Sequence, residues 1–197
     1  MRSSFGPSMV RGAALALLLG AAGCYGGEGS DESAGEVEAA PPAETPVQAA
    51  VAAPDTTGAA MWAHLQESGY QESWELWPDK GRLYPGQQPH GAQLTTYMND
   101  IAFSALQSGA AEMPAGAIIV KENYMPDGML AAVTTMFKTP GYNAEHNDWF
   151  FTKHLASGEL DQAPNGMALE GRLPGCQGCH IGKADNDYLF TGELGGG

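Results

Sequence analysis

The sequence predicts an α+β domain, mainly an antiparallel β-sheet with a few short helices. Three observations predict it. Residues 93–98, 117–123, 130–138 and 148–154 are apolar or β-branched runs bounded by Gly, Pro, Asn or Asp. The links between them are mostly too short for helical crossovers, which favours antiparallel pairing. A single helical pattern interrupts the runs: Asn99 or Asp100 can cap a segment that places Ile101, Ala102, Ala105 and Leu106 on one face and ends at Gly109.

The 197 residues exceed what one ordinary domain needs, and the surplus lies at the N-terminus. Residues 1–24 have the form of a secretory signal: Arg2 and Arg11, a short apolar core at 13–19, then small residues before Cys24. That core is shorter than the roughly 20 apolar residues a membrane-spanning helix requires. The ending Leu19-Gly20-Ala21-Ala22-Gly23-Cys24 resembles a bacterial lipobox, which makes Cys24 a lipidation candidate and implies a membrane tether. Residues 25–58 carry seven acids, no base and no aromatic after Tyr25. Such a stretch buries too little apolar surface to offset chain entropy, so it is expected to be a disordered acidic linker with a reach of roughly 30 to 40 Å.

The folded part is expected at 59–197. Met61, Trp62 and Leu65 start it with a short helical pattern. Residues 71–90, with Pro78, Pro85, Pro89, Gly81 and Gly86, are expected to be turns. The strands and helix named above follow, and 187–191 closes the domain as a last strand or turn. The four Trp residues are expected to pack in the core.

The net charge is −14, and cleavage after the leader would leave seven bases against 23 acids. A phosphate-binding surface needs the opposite balance, which excludes nucleic acid as a partner. The acidity suits a basic redox partner protein or a small neutral or cationic substrate.

The chemistry is carried by Gly175-Cys176-Gln177-Gly178-Cys179-His180. In an exported chain, Cys-x-x-Cys-His is the attachment signature of a covalently bound haem c: two thiols for the two vinyl groups and a histidine for the iron. With Cys24 lipidated, it would leave no free thiol in an oxidising compartment, periplasm or outer surface. A thioredoxin-like dithiol lacks its βαβ context here, and a structural zinc site lacks further cysteines. His180 is thus the expected axial iron ligand. What occupies the other face decides between an electron carrier and an open site. His64, His90, His146 and His154 and Met125, Met129 and Met136 are the available groups. The plainer expectation is core packing for the Met residues, with His146 in a solvated loop and His154 at a strand end.

In order along the chain stand His90-Gly91, Tyr97-x-Asn99-Asp100, Pro114-x-Gly116-Ala117-Ile118-Ile119-Val120-Lys121-Glu122, Met136-x-Lys138, Asn147-Asp148-Trp149-Phe150, the Cys176–His180 run and Asp187-Tyr188-Leu189-Phe190-Thr191. From about Gly86 to Thr191 this resembles the cytochrome P-460 family, whose close relatives are the cytochromes c′-beta. The resemblance implies a β-rich fold with one c-type haem near the C-terminus and an open distal face. It also implies chemistry on small nitrogen species, hydroxylamine or nitric oxide, and a homodimer. A lysine cross-linked to the macrocycle in the family's enzymes falls at Lys121. Read from the strand alone, Lys121 could equally point to solvent, and Glu122 on the opposite face suits a salt bridge or surface role. The distal carboxylate of the family's enzymes falls near Thr134, flanked by Val133 and Thr135, and none of these is a base. Glu145 and Asp148 read as turn residues. An electron-transfer cytochrome with a sixth protein ligand, or a nitric oxide binder without turnover, are the alternatives.

Overall fold

The computed structural model describes residues 52–192 and 194; the leader, Cys24 and the linker up to residue 51 lie outside the described residues. Its helices are α1 (Gly58–Ser68), α2 (Tyr70–Ser73), α3 (Asp100–Gln107) and α4 (Pro174–His180). Its strands are β1 (Glu75–Leu76), β2 (Tyr84–Pro85), β3 (Gln93–Met98), β4 (Ile118–Tyr124), β5 (Leu130–Lys138), β6 (Trp149–Leu155) and β7 (Glu170–Gly171). The strands form one antiparallel sheet in the order β1-β3-β4-β5-β6-β7, with β2 also on β3. Each of the four strands expected from the sequence is present, two of them displaced by one residue.

Both faces of the sheet are covered. On one face Tyr97, Val120, Val133, Phe137 and Phe150 pack against Met61 and Leu65 of α1. The helix presents these two residues together because they are four apart. Thr57 caps its start, accepting from the Ala60 amide at 3.1 Å, and Gly69 in the left-handed region (φ 57°) ends it. On the other face Met98, Ile119, Met136 and Phe151 pack against Trp77, Ala102 and Ala105 of α3, Leu173, Tyr188 and Leu189. The Asn99 side chain caps α3 and also accepts from the Ile118 amide at 3.0 Å, fastening the helix to β4. Ile101, expected on the inner face of α3, is instead exposed, because the short helix turns only Ala102 and Ala105 fully inward.

Glu122 departs most from its expected surface role. It is fully buried beneath α2 and takes hydrogen bonds from Tyr70 Oη at 2.9 Å, Tyr124 Oη at 2.6 Å and Gln71 Nε2. Three donors compensate the buried carboxylate without a cation. Removing the acceptor strands those donors, at about 1–3 kcal/mol for each left unsatisfied. Glu122→Ala is therefore expected to lower the thermal midpoint of unfolding, whereas Glu122→Gln, which retains an acceptor oxygen, should lower it less.

Candidate functional site

On the face bearing Met136 and Phe151, the side chains of β4, β5 and β6 form rows. Ile119, Met136 and Phe151 are in register, then Lys121, Thr134 and Lys153, then Asn123, Ala132 and Leu155. Helix α4 and the segment after it lie over these rows and border a cavity. Its walls include Ile119, Lys121, Thr134, Met136, Phe151, Cys176, His180, Leu189, Phe190 and His90. A mostly apolar cleft with a few convergent polar groups has the general form of a cofactor site.

The attachment run is helical because Pro174 occupies the first turn, where its missing N–H costs nothing, and the Gln177 amide donates to Leu173 O at 2.9 Å. The spacing of three brings Cys176 and Cys179 to neighbouring positions on one side of α4. Cys176 is half-buried in the cavity wall, while Cys179 is exposed and outside that wall.

His180 is buried, with Phe151 and Phe190 edge-on at 5.5 and 5.3 Å between ring centroids. Its Nδ1 lies 2.6 Å from the Tyr188 carbonyl oxygen. A carbonyl only accepts, so Nδ1 carries the proton and Nε2 keeps its lone pair, the tautomer a metal-ligating histidine needs. Burial also pushes the imidazole pKa down, favouring the neutral form.

The carbonyl that orients His180 is itself anchored. Asp187 and Tyr188 both adopt left-handed backbone (φ 49° and 67°), an unfavourable conformation for residues with a Cβ. The fully buried Asp187 carboxylate holds them there, accepting from Lys138 Nζ at 2.7 Å, the Met113 amide at 2.8 Å, Asn147 Nδ2 at 3.0 Å and Trp149 Nε1 at 3.1 Å. Lys138 also lies 4.9 Å from the centre of the Trp149 ring. Sequence reasoning assigned 187–191 no role beyond packing. No local signal marks it, because Asp187 follows Lys183, Asp185 and Asn186 in a polar stretch and its donors lie far along the chain.

Lys121 lines the cavity, and burial lowers its pKa to about 8. The solvent-facing alternative for this lysine is thereby excluded. Thr134, its partner across the β4–β5 ladder, also lines the cavity, but its hydroxyl donates to Lys121 O at 3.2 Å and accepts from Asn123 Nδ2 at 3.2 Å. It is no proton acceptor.

Of the other groups named for the far side of the iron, only His90 and Met136 reach the cavity wall. Met125 and Met129 are exposed, against the expectation of core packing, because they flank the turn between β4 and β5. His154 lies at the end of β6 as expected and is buried, with Nε2 3.1 Å from Gly58 O on the α1 face of the sheet. His64 belongs to α1 itself, and His146 packs edge-on to Tyr188 at 5.8 Å. Asp148 is the expected turn residue, accepting from the Gly141 and Asn143 amides. His90 is brought in by its neighbour: a Cβ on Gly91 would stand 2.5 Å from both the backbone N and O of Tyr124, so only glycine lets this loop lie against β4. Burial foremost, then the nearby Lys121, holds the His90 pKa down at about 4.

Comparison with known families gives a match to the model described as Cytochrome P460, over residues 69–191. The match begins well before Gly86 and takes in α2, β1 and β2. No curated protein matches the chain.

Proposed function

The chain belongs to the cytochrome P460 family, and with it to the haem-binding cytochromes; from that premise we propose that it is an exported mono-haem c-type cytochrome that binds or oxidises small nitrogen species such as hydroxylamine or nitric oxide. The observation that carries this reading is the meeting of Lys121, Cys176 and His180 in one apolar cavity. The residues fit the cofactor. Cys176 and Cys179 would hold it through two thioether bonds, and His180, its Nδ1 committed to the Tyr188 carbonyl, would offer Nε2 to the iron. When bound, haem supplies a redox-active iron for small ligands. Ile119, Met136, Phe151 and Leu189 would give it an apolar wall.

Lys121 has the attributes of the haem cross-link. It stands in the cavity wall, and its amine is neutral, hence nucleophilic, once the pH passes about 8. Mass spectrometry of a proteolytic peptide containing Lys121 is expected to show haem mass, and the ferrous protein a red-shifted Soret band. Replacing a ring C–H and an amine N–H by the C–N bond releases two electrons and two protons, so on treating the loaded protein with a two-electron oxidant such as peroxide the cross-link yield should rise with pH through about 8. Lys121→Ala should abolish the cross-link while retaining thioether-bound haem. An ordinary c-type spectrum with an unmodified Lys121 peptide would instead leave two readings, a c′-beta-like gas binder if the iron is high-spin and an electron carrier if it is low-spin. Hydroxylamine consumption by the loaded protein tests turnover.

The leader and Cys24 support export and a lipid tether at the periplasm or outer surface, with a basic redox protein as electron partner. Homodimer formation is part of the same proposal. A second reading, an electron-transfer cytochrome with a sixth protein ligand, is favoured by His90 in the cavity wall.

A further inference from the structure

His90 and His180 both line the cavity, with ring centroids 6.4 Å apart and planes at 87°. Two imidazoles opposed on one metal, each with a bond of about 2.0–2.1 Å, place their ring centroids roughly 6 Å apart. Perpendicular ring planes are compatible with that arrangement, because the axis joining the two ligating nitrogens lies in both planes.

The protonation of His90 points the same way. Its Nδ1 lies 2.9 Å from Asn123 Oδ1. The orientation of the Asn123 amide is settled by its other end, where Nδ2 donates to Lys121 O, Ala132 O and Thr134 Oγ1. Oδ1 must then accept, so His90 carries its proton on Nδ1 and leaves an Nε2 lone pair. His180 is prepared identically by the Tyr188 carbonyl. Two histidines with the outer nitrogen tied to an acceptor and the inner one unprotonated form a ligand pair of the kind metals select.

Their placement on the sheet supplies a third argument. His180 packs on Phe151, in the row of Ile119 and Met136, and His90 is bonded to Asn123, in the row of Ala132. The row between them is Lys121 and Thr134. The outer rows are four residues apart along β4, roughly 13 Å at the backbone. A macrocycle standing on the middle row therefore meets one imidazole on each face and Lys121 at its edge.

The geometry points to His90 as the sixth ligand of the iron, opposite His180, so that an external nitrogen ligand binds only by displacing it. This rests on the haem occupying the cavity described above. Asn123 and Gly91 act as positioning residues for the ligand.

The test is the spin state of the ferric, haem-loaded full chain by electron paramagnetic resonance and optical spectroscopy. The wild type is expected to be low-spin with a bis-imidazole signature. His90→Ala is expected to keep its covalent haem by mass, turn high-spin, and return to low-spin on adding imidazole. A high-spin wild type, or a His90→Ala protein that stays low-spin without imidazole, overturns the assignment. Should His90→Ala fail to fold, His90→Gln gives the same reading, and the wild-type spectrum decides independently. Absence of haem mass on the peptide containing Cys176 and Cys179, with no haem copurifying, overturns both this ligation and the haem site beneath it. A normal haem load with a high-spin iron overturns the ligation alone.

Discussion

Replacing Cys176 and Cys179 together by Ala is expected to give a protein from which acid extraction removes all haem, where the wild type releases none. The physical ground is the division of labour in α4. The two thiols are the covalent anchors, while His180 contributes a coordinate bond through a nitrogen whose orientation depends on Tyr188 and not on either cysteine. The double variant should thus still bind haem reversibly, with the His180 ligation intact. The single variants are not equivalent. Cys176 is half-buried in the cavity wall, where burial raises its thiol pKa, and Cys179 is exposed. The thiolate is the nucleophilic form, so Cys179 is expected to be the easier site of attachment and Cys176→Ala the milder lesion. Mass spectrometry of the extracted protein measures each case. Haem mass retained by the double variant would show that the thioether assignment is mistaken.

The second large effect is expected at Asp187. Its carboxylate is buried against Lys138 and accepts from three further donors, so Asp187→Ala leaves a buried ammonium without its counter-charge. Breaking a buried pair in this way costs about 3–5 kcal/mol. For a domain of this size the thermal midpoint should fall on the order of 10 °C. Asp187→Asn should fall less, because an amide oxygen still receives one of the donors. Lys138→Met should be milder again, since the carboxylate keeps the Met113 amide, Asn147 and Trp149. Destabilisation is only half of the expectation. Without the carboxylate the left-handed backbone at Asp187 and Tyr188 keeps only its bonds through backbone groups and the Tyr188 hydroxyl, and the Tyr188 carbonyl is less firmly held at His180 Nδ1. The loaded Asp187→Ala protein should therefore show a weakened proximal ligand in its spectrum, a change that loss of packing elsewhere would not produce. Wild-type spectra in Asp187→Ala would refute the orienting role.

How far the sequence made this legible depends on the range of the interaction that decides each feature. The strands were readable because their apolar runs end at strong breakers, and the start of α3 because Asn99 is a local cap. The attachment run was readable because its chemistry requires adjacent residues. Features that depend on partners far along the chain were not. Lys121 and Glu122 are neighbours on β4, and pattern alone leaves both on a polar strand end. It takes Tyr70 and Gln71, more than 50 residues away, to make Glu122 a buried acceptor, and α4 folded over the sheet to desolvate Lys121. His90 was one of several equivalent candidates until Gly91 and Asn123 placed it. Asp187 could not be distinguished from a solvated turn residue until its donors, one as far away as Met113, converged on it.

The two faces of the sheet carry one further consequence. The N-terminal helix α1 docks on the face opposite the cavity, through Met61 and Leu65, and residues 52–57 lead into it from there. The anchorage of α1 and the chemistry of the cavity are thus carried by separate faces: no residue of 52–68 lines the cavity wall, so trimming Met61 or Leu65 to Ala acts on stability and leaves every cavity side chain in place.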